Sequence, residues 1–223
     1  MKSAPRKTLP TILLASSSPR RREIMQGVEN LVEVLSPDIE EGPRNTGESP
    51  EEYVSRLSRE KAEASMVNGI VGTILAADTT VVLDGEVMGK PATRPEAKHM
   101  LQKLQGRVHS VVTGVTVRGI MGANFVTASR TTSVHVRDFS ESEMELYLVS
   151  GTPMDRAGAY GVQDLPFNPV TKVDGCYLNV VGLPLCTVVS LMEKVGTVLK
   201  LHPRLHVPYF DRCDRCELGC REA

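Results

Sequence analysis

Ser16-Ser17-Ser18-Pro19-Arg20-Arg21-Arg22 sets three hydroxyls, a proline and three guanidinium groups side by side. The preceding Thr11 to Ala15 is a short apolar run that reads as a buried strand. Ser18 is expected to cap a helix by accepting a bond from a first-turn N–H. Pro19 fits the next position, where its missing N–H costs nothing. Ile24, Met25 and Val28 give that helix an apolar face and Gly27 a stop. A helix N-terminus carries partial positive charge, so arginines in its first turn need an anion to offset them. Free N–H groups, serine hydroxyls and arginine forks are together the parts of a phosphate site. A solvated basic first turn is the competing reading of the same residues.

Carboxylates and lysines elsewhere supply complementary chemistry. Asp78 directly follows the apolar run Thr73 to Ala77. Partial desolvation there raises a carboxyl pKa, while a nearby metal or lysine lowers it again, which makes Asp78 the best general-base candidate in the chain. Lys90 sits at the far end of the hairpin that begins with Asp78, within reach of one shared site. Lys61 falls inside the apolar stripe of a helix, so it needs a buried anion, a route to the rim, or Glu60 as its partner. Asp38, Glu40 and Glu41 crowd one turn-bounded loop, where hard oxygen ligands suit Mg²⁺ and where an ordinary solvated loop is the alternative. Gln163 follows a glycine-rich stretch, Arg156 to Asp164. It presents both a donor and an acceptor, as reading a base edge requires, and a surface amide is the bland alternative. Gly158 and Gly161 are expected to let backbone approach a ligand closely.

The elements that must position these residues follow from capping and periodicity. Ser49-Pro50-Glu51-Glu52 has the form of a capping box and opens a helix from Pro50 to about Asn68, with Tyr53, Val54, Leu57, Ala64 and Val67 as its apolar stripe. Thr73 to Ala77 reads as a central strand that Asp78-Thr79-Thr80 ends. Asp84-Gly85 then turns a hairpin. Thr93 to Glu96 is a second capping box, before a helix burying Ala97, Met100, Leu101 and Leu104. Val108–Val117 and Thr127–Val136 read as antiparallel strands. Ser140 to Glu143 caps a third helix that ends at Gly151. Val173 to Val181 looks strand-like, and Leu183-Pro184-Leu185 opens a last helix closed by Gly196. His99, His109 and His135 have no metal-ligand spacing and read as structural or solvent-facing.

Composition narrows the classes. The 223 residues suit one domain with a sizeable core, here 11–196, with an N-terminal extension 1–10 and a tail 197–223. A net charge of −1, no Trp and only four Phe argue against a nucleic-acid surface. No apolar run is long enough for a membrane span, and Met1 to Pro10 lacks the apolar core of a secretory signal. Five cysteines, three of them in the last eleven residues, make no disulfide framework, so a reducing, cytoplasmic compartment is expected. Cys213, Cys216 and Cys220, with His202 and His206 upstream, have loosely zinc-like spacing and are read as a loosely docked tail rather than a metal site.

The signals also match one family in order. Leu14 to Arg22 resembles the opening motif of the Maf family of nucleotide pyrophosphatases. The resemblance continues through Asp38-Ile39-Glu40-Glu41, Arg59-Glu60-Lys61-Ala62, Ala77-Asp78-Thr79 and Gly89-Lys90-Pro91. It closes with Gly158 to Gln163 and Asn179 to Pro184, so that it spans Thr11 to Gly196. It implies an α/β fold, an elongated mixed β-sheet with flanking helices and an active-site cleft, often in a homodimer. It implies hydrolysis of a nucleoside triphosphate to the monophosphate and pyrophosphate. Ala77-Asp78-Thr79 and Tyr160 to Gln163 look like the dTTP/UTP branch, and the 7-methyl-GTP branch differs at these places; a pyrophosphatase for other modified or damaged nucleotides, CTP-type, 7-methyl-GTP or purine, is the nearer alternative. Some members were first named for inhibiting septum formation, and a nucleotide-binding regulator of cell division is the rival class. By this resemblance Asp78 is the proton acceptor, and Arg20, Thr79 and Gln163 bear on substrate choice. Ser16, Arg21, Glu41, Lys61, Lys90 and Gln163 match the family's cleft set. A divalent cation, Mg²⁺ or Mn²⁺, is expected among phosphate oxygens, Glu41 and Asp78. Asp164 departs from the small residue that many members carry after the glutamine, and it is expected to add negative charge beside the base-recognition loop.

Overall fold

The computed structural model of the chain describes residues 9–37, 39–66, 71–120 and 124–202. Asp38, His206 and the three tail cysteines lie outside the described residues. Among the described residues seven strands form one mixed sheet, in the order β2 (Val32–Leu35), β1 (Ile12–Ala15), β3 (Thr73–Leu83), β5 (Val108–Arg118), β6 (Phe125–Val136) and β7 (Val170–Asp174), with β4 (Glu86–Met88) paired to β3. β1, β2 and the first part of β3 run parallel. β4, β5, β6 and β7 join by antiparallel pairing. No helix among the described residues is long and apolar enough to cross a membrane.

The apolar runs predicted as buried strands are buried because both faces of the sheet are covered. On one face Leu13, Ala15, Ile74 and Ala76 pack with Ala62 of α2 (Pro50–Ala64). On the other, Ile12, Leu14, Leu75 and Ala77 pack with α1 (Pro19–Met25), α5 (Tyr177–Val181) and α6 (Leu185–Lys194). A second cluster on that face joins Val81, Leu83 and Val111 to α3 (Arg94–Leu104) and α4 (Glu141–Val149). Each fully buried Val or Leu contributes about 1.5–3 kcal/mol relative to exposure.

α2 starts with the predicted capping box: Ser49 Oγ accepts from Glu52 N–H, and Glu52 accepts from Ser49 N–H. It stops at Ala64, short of Asn68; of the predicted stripe Val54 and Leu57 face inward, joined by Ser58 and Ala62, whereas Ala64 is exposed and Val67 lies outside the described residues. The inward polar residue is tolerated because Ser58 Oγ meets Thr116 Oγ1 at 2.8 Å. α2 lies unusually close to β5: a Cβ at Gly114 would stand 2.3 Å from the carbonyl oxygen of Val54. Gly114 pairs with Asp78 across the β3–β5 ladder, so this close approach fixes the helix over the strand that carries the carboxylate. Gly114→Ala therefore forces the two elements apart. It is expected to cost about 1–3 kcal/mol, the usual overpacking range, read as a lower midpoint in chemical denaturation.

Four local expectations are corrected. β3 does not end at Asp78 but runs on to Leu83, because β5 pairs with it from Ile74 to Val82. Val173 to Val181 is a strand only to Asp174. Gly175, at φ +133°, then turns the chain into α5, an apolar segment too short for its periodicity to separate helix from strand. Ser18 holds the N-cap position, but its hydroxyl makes no capping bond; Ser16 Oγ accepts from Ser18 N–H instead. At α3, Thr93 accepts from Glu96 N–H as expected, but the Glu96 carboxylate turns to Ala92 N–H, so the box is half formed. Beyond Gly196, the segment through His202 packs along the α1–β2 connection. Val28 bridges Leu201, and His202 N–H donates to the Gly27 carbonyl.

Candidate active site

β1 pairs with β3 as far as Ala76, and β4 joins the same side of β3 only from Val81. Between them Ala77 to Thr80 border a notch in the sheet. It opens beyond the carboxyl ends of β1 and β2, the usual place for a ligand in parallel α/β sheets. The Ser16–Arg21 turn, the loop after β2, α2, the Gly89-Lys90 loop and the stretch Asp155 to Gln163 close around it as one cleft. Nine residues expected at the site line this cleft: Ser16, Arg20, Arg21, Glu41, Lys61, Asp78, Thr79, Lys90 and Gln163; Glu40 and Gly158 do not.

Asp78 and Lys61 form its centre. The Lys61 ammonium lies 2.5 Å from Asp78 Oδ1 and 2.7 Å from Glu41 Oε1. The buried anion that an inward lysine requires is therefore Asp78; Glu60, the other candidate, pairs with Arg56. The two partners are nearly out of water, with side chains 12% and 10% exposed, whereas Glu41 is half exposed. Burial pushes the Asp78 pKa above the ordinary carboxylate range, and the charges of Lys61 and Arg21 oppose it without cancelling it. Burial also acts to raise Glu41, but there the hydrogen bond and charge of Lys61, helped by Lys90 and Arg21, hold the carboxyl below its ordinary value. Neighbouring carboxyls thus have opposite tendencies: Asp78 holds a proton more readily and Glu41 stays ionised.

Arg21 is buried and braces the cleft wall. Its guanidinium donates to the Gly182 carbonyl (2.8 Å), Ser16 Oγ (3.2 Å) and Thr79 Oγ1 (3.0 Å). Thr79 Oγ1 also meets Thr113 Oγ1 at 2.9 Å, so this threonine joins β3, β5 and the Arg21 bracket. Burial lowers the Arg21 pKa, and Asp78 and Glu41 pull it back. Arg20 and Lys90 are more accessible and share a partner absent from the sequence reading, Asp155. Lys90 Nζ stands 2.5 Å from Asp155 Oδ1, and Arg20 reaches both the Asp155 carbonyl (3.1 Å) and its carboxylate (3.7 Å). The Lys90–Asp155 pair is exposed and worth little, so an incoming anion can take both cations from it. An acid directly before the Arg156 loop was the only available signal for Asp155.

The Gln163 loop differs from expectation in two ways. Its glycines make room for the protein's own side chains. A Cβ at Gly158, where φ is +66°, would meet Val81 at 2.9 Å, and one at Gly161 would meet the Asp164 carboxylate at 2.5 Å. Asp164 adds no unbalanced charge to the cleft. It is buried, with Arg156 Nη2 at 2.7 Å from Oδ1 and the Tyr147 hydroxyl at 2.5 Å from Oδ2. Tyr160 is held from the other side by His109 Nε2 at 2.6 Å. Burial and the neighbouring His135 push the pKa of His109 down to about 4, so it is a neutral core residue. His99 is exposed and His135 half-buried.

Hard oxygen donors from Glu41 and Asp78 converge on one point of positive charge, the Lys61 ammonium. This donor set fits a Mg²⁺-like ion that takes one or two carboxylates and completes its shell with phosphate oxygens and water. Among the described residues no group of three His, Cys, Asp or Glu side chains forms a metal cage of its own.

A mixed sheet covered by helices, with a charged cleft beyond its parallel strands, defines an α/β protein with the cleft of a small-molecule enzyme. The chain belongs to the Maf-like protein family, whose model matches residues 11–195. It is 40% identical over 194 residues to a dTTP/UTP pyrophosphatase of Dehalococcoides mccartyi, covering 87% of this chain and 86% of that one. A Myxococcus xanthus protein of the same name is 44% identical over 84% of this chain and 94% of its own. One from Geotalea uraniireducens is 41% identical over 84% and 96%. A solved dITP/XTP pyrophosphatase from Mycobacterium abscessus aligns over 72% of this chain and 82% of its own, at 17% identity and a TM-score of 0.39, too distant to bear on the site.

Proposed function

We propose that the chain is a cytoplasmic nucleoside triphosphate pyrophosphatase acting on dTTP and UTP, with 11–196 as its catalytic unit. The observation that carries this reading is the desolvated Asp78–Lys61 pair beside the cationic wall of the notch. The names of relatives about 40% identical over most of the chain support the substrate class. Water attacks the α-phosphorus, the bond from that phosphorus to the bridging oxygen breaks, and pyrophosphate leaves with the bond's electrons. Asp78 receives the water's proton; a carboxylate whose pKa burial raises above its ordinary value suits this role. Lys61 keeps that carboxylate ionised and offsets charge developing at phosphorus. Arg20 and Lys90, released from Asp155, bind the outer phosphates, and Arg21 with Ser16 and Thr79 holds the wall beside them. A divalent cation bound by Glu41 and Asp78 would neutralise phosphate charge and act as a Lewis acid.

Gln163, with backbone groups of its loop, reads the base. Uracil and thymine present the O4 acceptor and N3–H donor, whereas cytosine presents the reverse. A fixed donor–acceptor pair rejects the reversed pattern because buried polar groups are left unpaired. In a panel of dTTP, UTP, dCTP, dATP and dGTP with Mg²⁺ or Mn²⁺, followed by pyrophosphate release, dTTP and UTP are expected to have the highest kcat/KM. A preference for dCTP or purines overturns the substrate assignment, and no pyrophosphate release at all leaves a nucleotide-binding regulator.

A further inference from the structure

The loop that carries Gln163 has few bonds of its own and is organised around one buried carboxylate. Asp164 Oδ1 accepts from Arg156 at the loop's start, and Oδ2 accepts from Tyr147 on α4. Asp164 N–H donates to the Gly161 carbonyl, and its own carbonyl accepts from Asn168 N–H. Gly161 is packed so closely on the carboxylate that it has no room for a side chain. Tyr147 is itself immobilised, its ring stacked on Phe167 at a centroid separation of 4.0 Å and an interplanar angle of 11°. Bonds from the start of the loop and from a neighbouring helix thus meet on one side chain, and the backbone of the same residue is bonded to Gly161 and Asn168, directly beside Gln163. A buried charge with two good donors is costly to disturb, and a reading group displaced by even 1 Å loses much of its effect.

We propose that Asp164 is a positioning residue for substrate selection: with Arg156 and Tyr147 it clamps the loop that presents Gln163 to the nucleobase. This rests on the reading of Gln163 as the base-recognising side chain. Asp164 touches no substrate; it acts through the loop. Phosphate-side contacts come from other elements, so the clamp governs discrimination between bases and leaves pyrophosphate binding alone. The arrangement also gives Arg156, which lines the cleft, a standing partner that keeps it out of competition for phosphate.

The test uses the full chain with Asp164→Asn, Tyr147→Phe and Gln163→Ala, measuring kcat/KM for dTTP and dCTP and the inhibition constant of pyrophosphate. The dTTP:dCTP ratio is internal to each sample, so partial unfolding does not move it. Gln163→Ala and Asp164→Asn are expected to lower that ratio by about 10-fold, a loss of one hydrogen bond's worth of discrimination. Tyr147→Phe, which keeps the ring on Phe167, is expected to lower it by about 3-fold. The pyrophosphate constant should stay within about twofold in all three. If Gln163→Ala lowers the ratio while both clamp variants keep it, the clamp is overturned and Gln163 stands. If Gln163→Ala keeps the parent ratio, the base reading fails and the clamp falls with it. If Asp164→Asn instead tightens pyrophosphate about 10-fold at an unchanged ratio, Asp164 only screens Arg156, and the proposal is overturned. Should Asp164→Asn not fold, Tyr147→Phe decides alone.

Discussion

Asp78→Asn lowers pyrophosphate release by about 10²-fold or more, the usual scale for a lost general base. The substitution keeps the shape of the side chain and its place in the β3–β5 ladder. Lys61 keeps Glu41 at 2.7 Å, so it is not left as an unpaired buried charge. Nucleotide binding, measured by titration calorimetry with a non-hydrolysable triphosphate, should therefore survive while turnover falls. Near-parental turnover removes Asp78 from both of its proposed roles, proton acceptor and metal ligand. Both roles need Asp78 ionised, so either gives an acid limb in kcat that burial moves above the carboxyl's ordinary value. A limb that shifts with Mg²⁺ concentration marks the ligand, and one that does not marks the base.

Lys61→Met moves that limb further up and destabilises the protein in a pH-dependent way. Lys61 acts to lower the pKa of Asp78, through its charge first and its hydrogen bond second. Without the ammonium, Asp78 and Glu41 face each other with only the charges of Arg21 and Lys90 to offset them, and both carboxyls hold protons to higher pH. One close cation typically shifts a carboxyl by about 1–3 units, so turnover on the acid side should fall by about 10-fold or more beyond any loss at the optimum. The stability change follows from the same shift. A carboxyl whose folded pKa exceeds its unfolded value binds more protons in the folded state. Stability then falls as pH rises from about 4 through the raised pKa. The melting temperature of Lys61→Met should therefore drop more at pH 8 than at pH 5. An unshifted acid limb would mean that the Lys61 charge does not govern the titration seen in kcat.

What the sequence determined by itself was local and chemical. Ser49 with Glu52 specified the start of α2, Asp84-Gly85 the β3–β4 turn, with both residues at positive φ, and the Val- and Thr-rich runs the β5–β6 pair. These signals are legible because capping, turn geometry and alternation depend on near neighbours. The site residues were legible through charge placed against pattern: a lysine in an apolar stripe, an aspartate after a buried run, arginines at a helix start. Tertiary structure decided what those charges meet. Only the folded chain shows that Lys61 is answered by Asp78 and Glu41, that Lys90 and Arg20 share Asp155, and that Asp164 is paired with Arg156 and accepts a hydrogen bond from Tyr147. It also decided that β3 continues past Asp78, because pairing with β5 outweighs the loss of β1, and that the apolar run after Gly175 winds into α5. Most of these turn on partners from distant segments of the chain, and Arg156 and Asp164, eight residues apart, meet only through the fold of the loop between them. Burial and hydrogen-bond satisfaction select such partners in three dimensions.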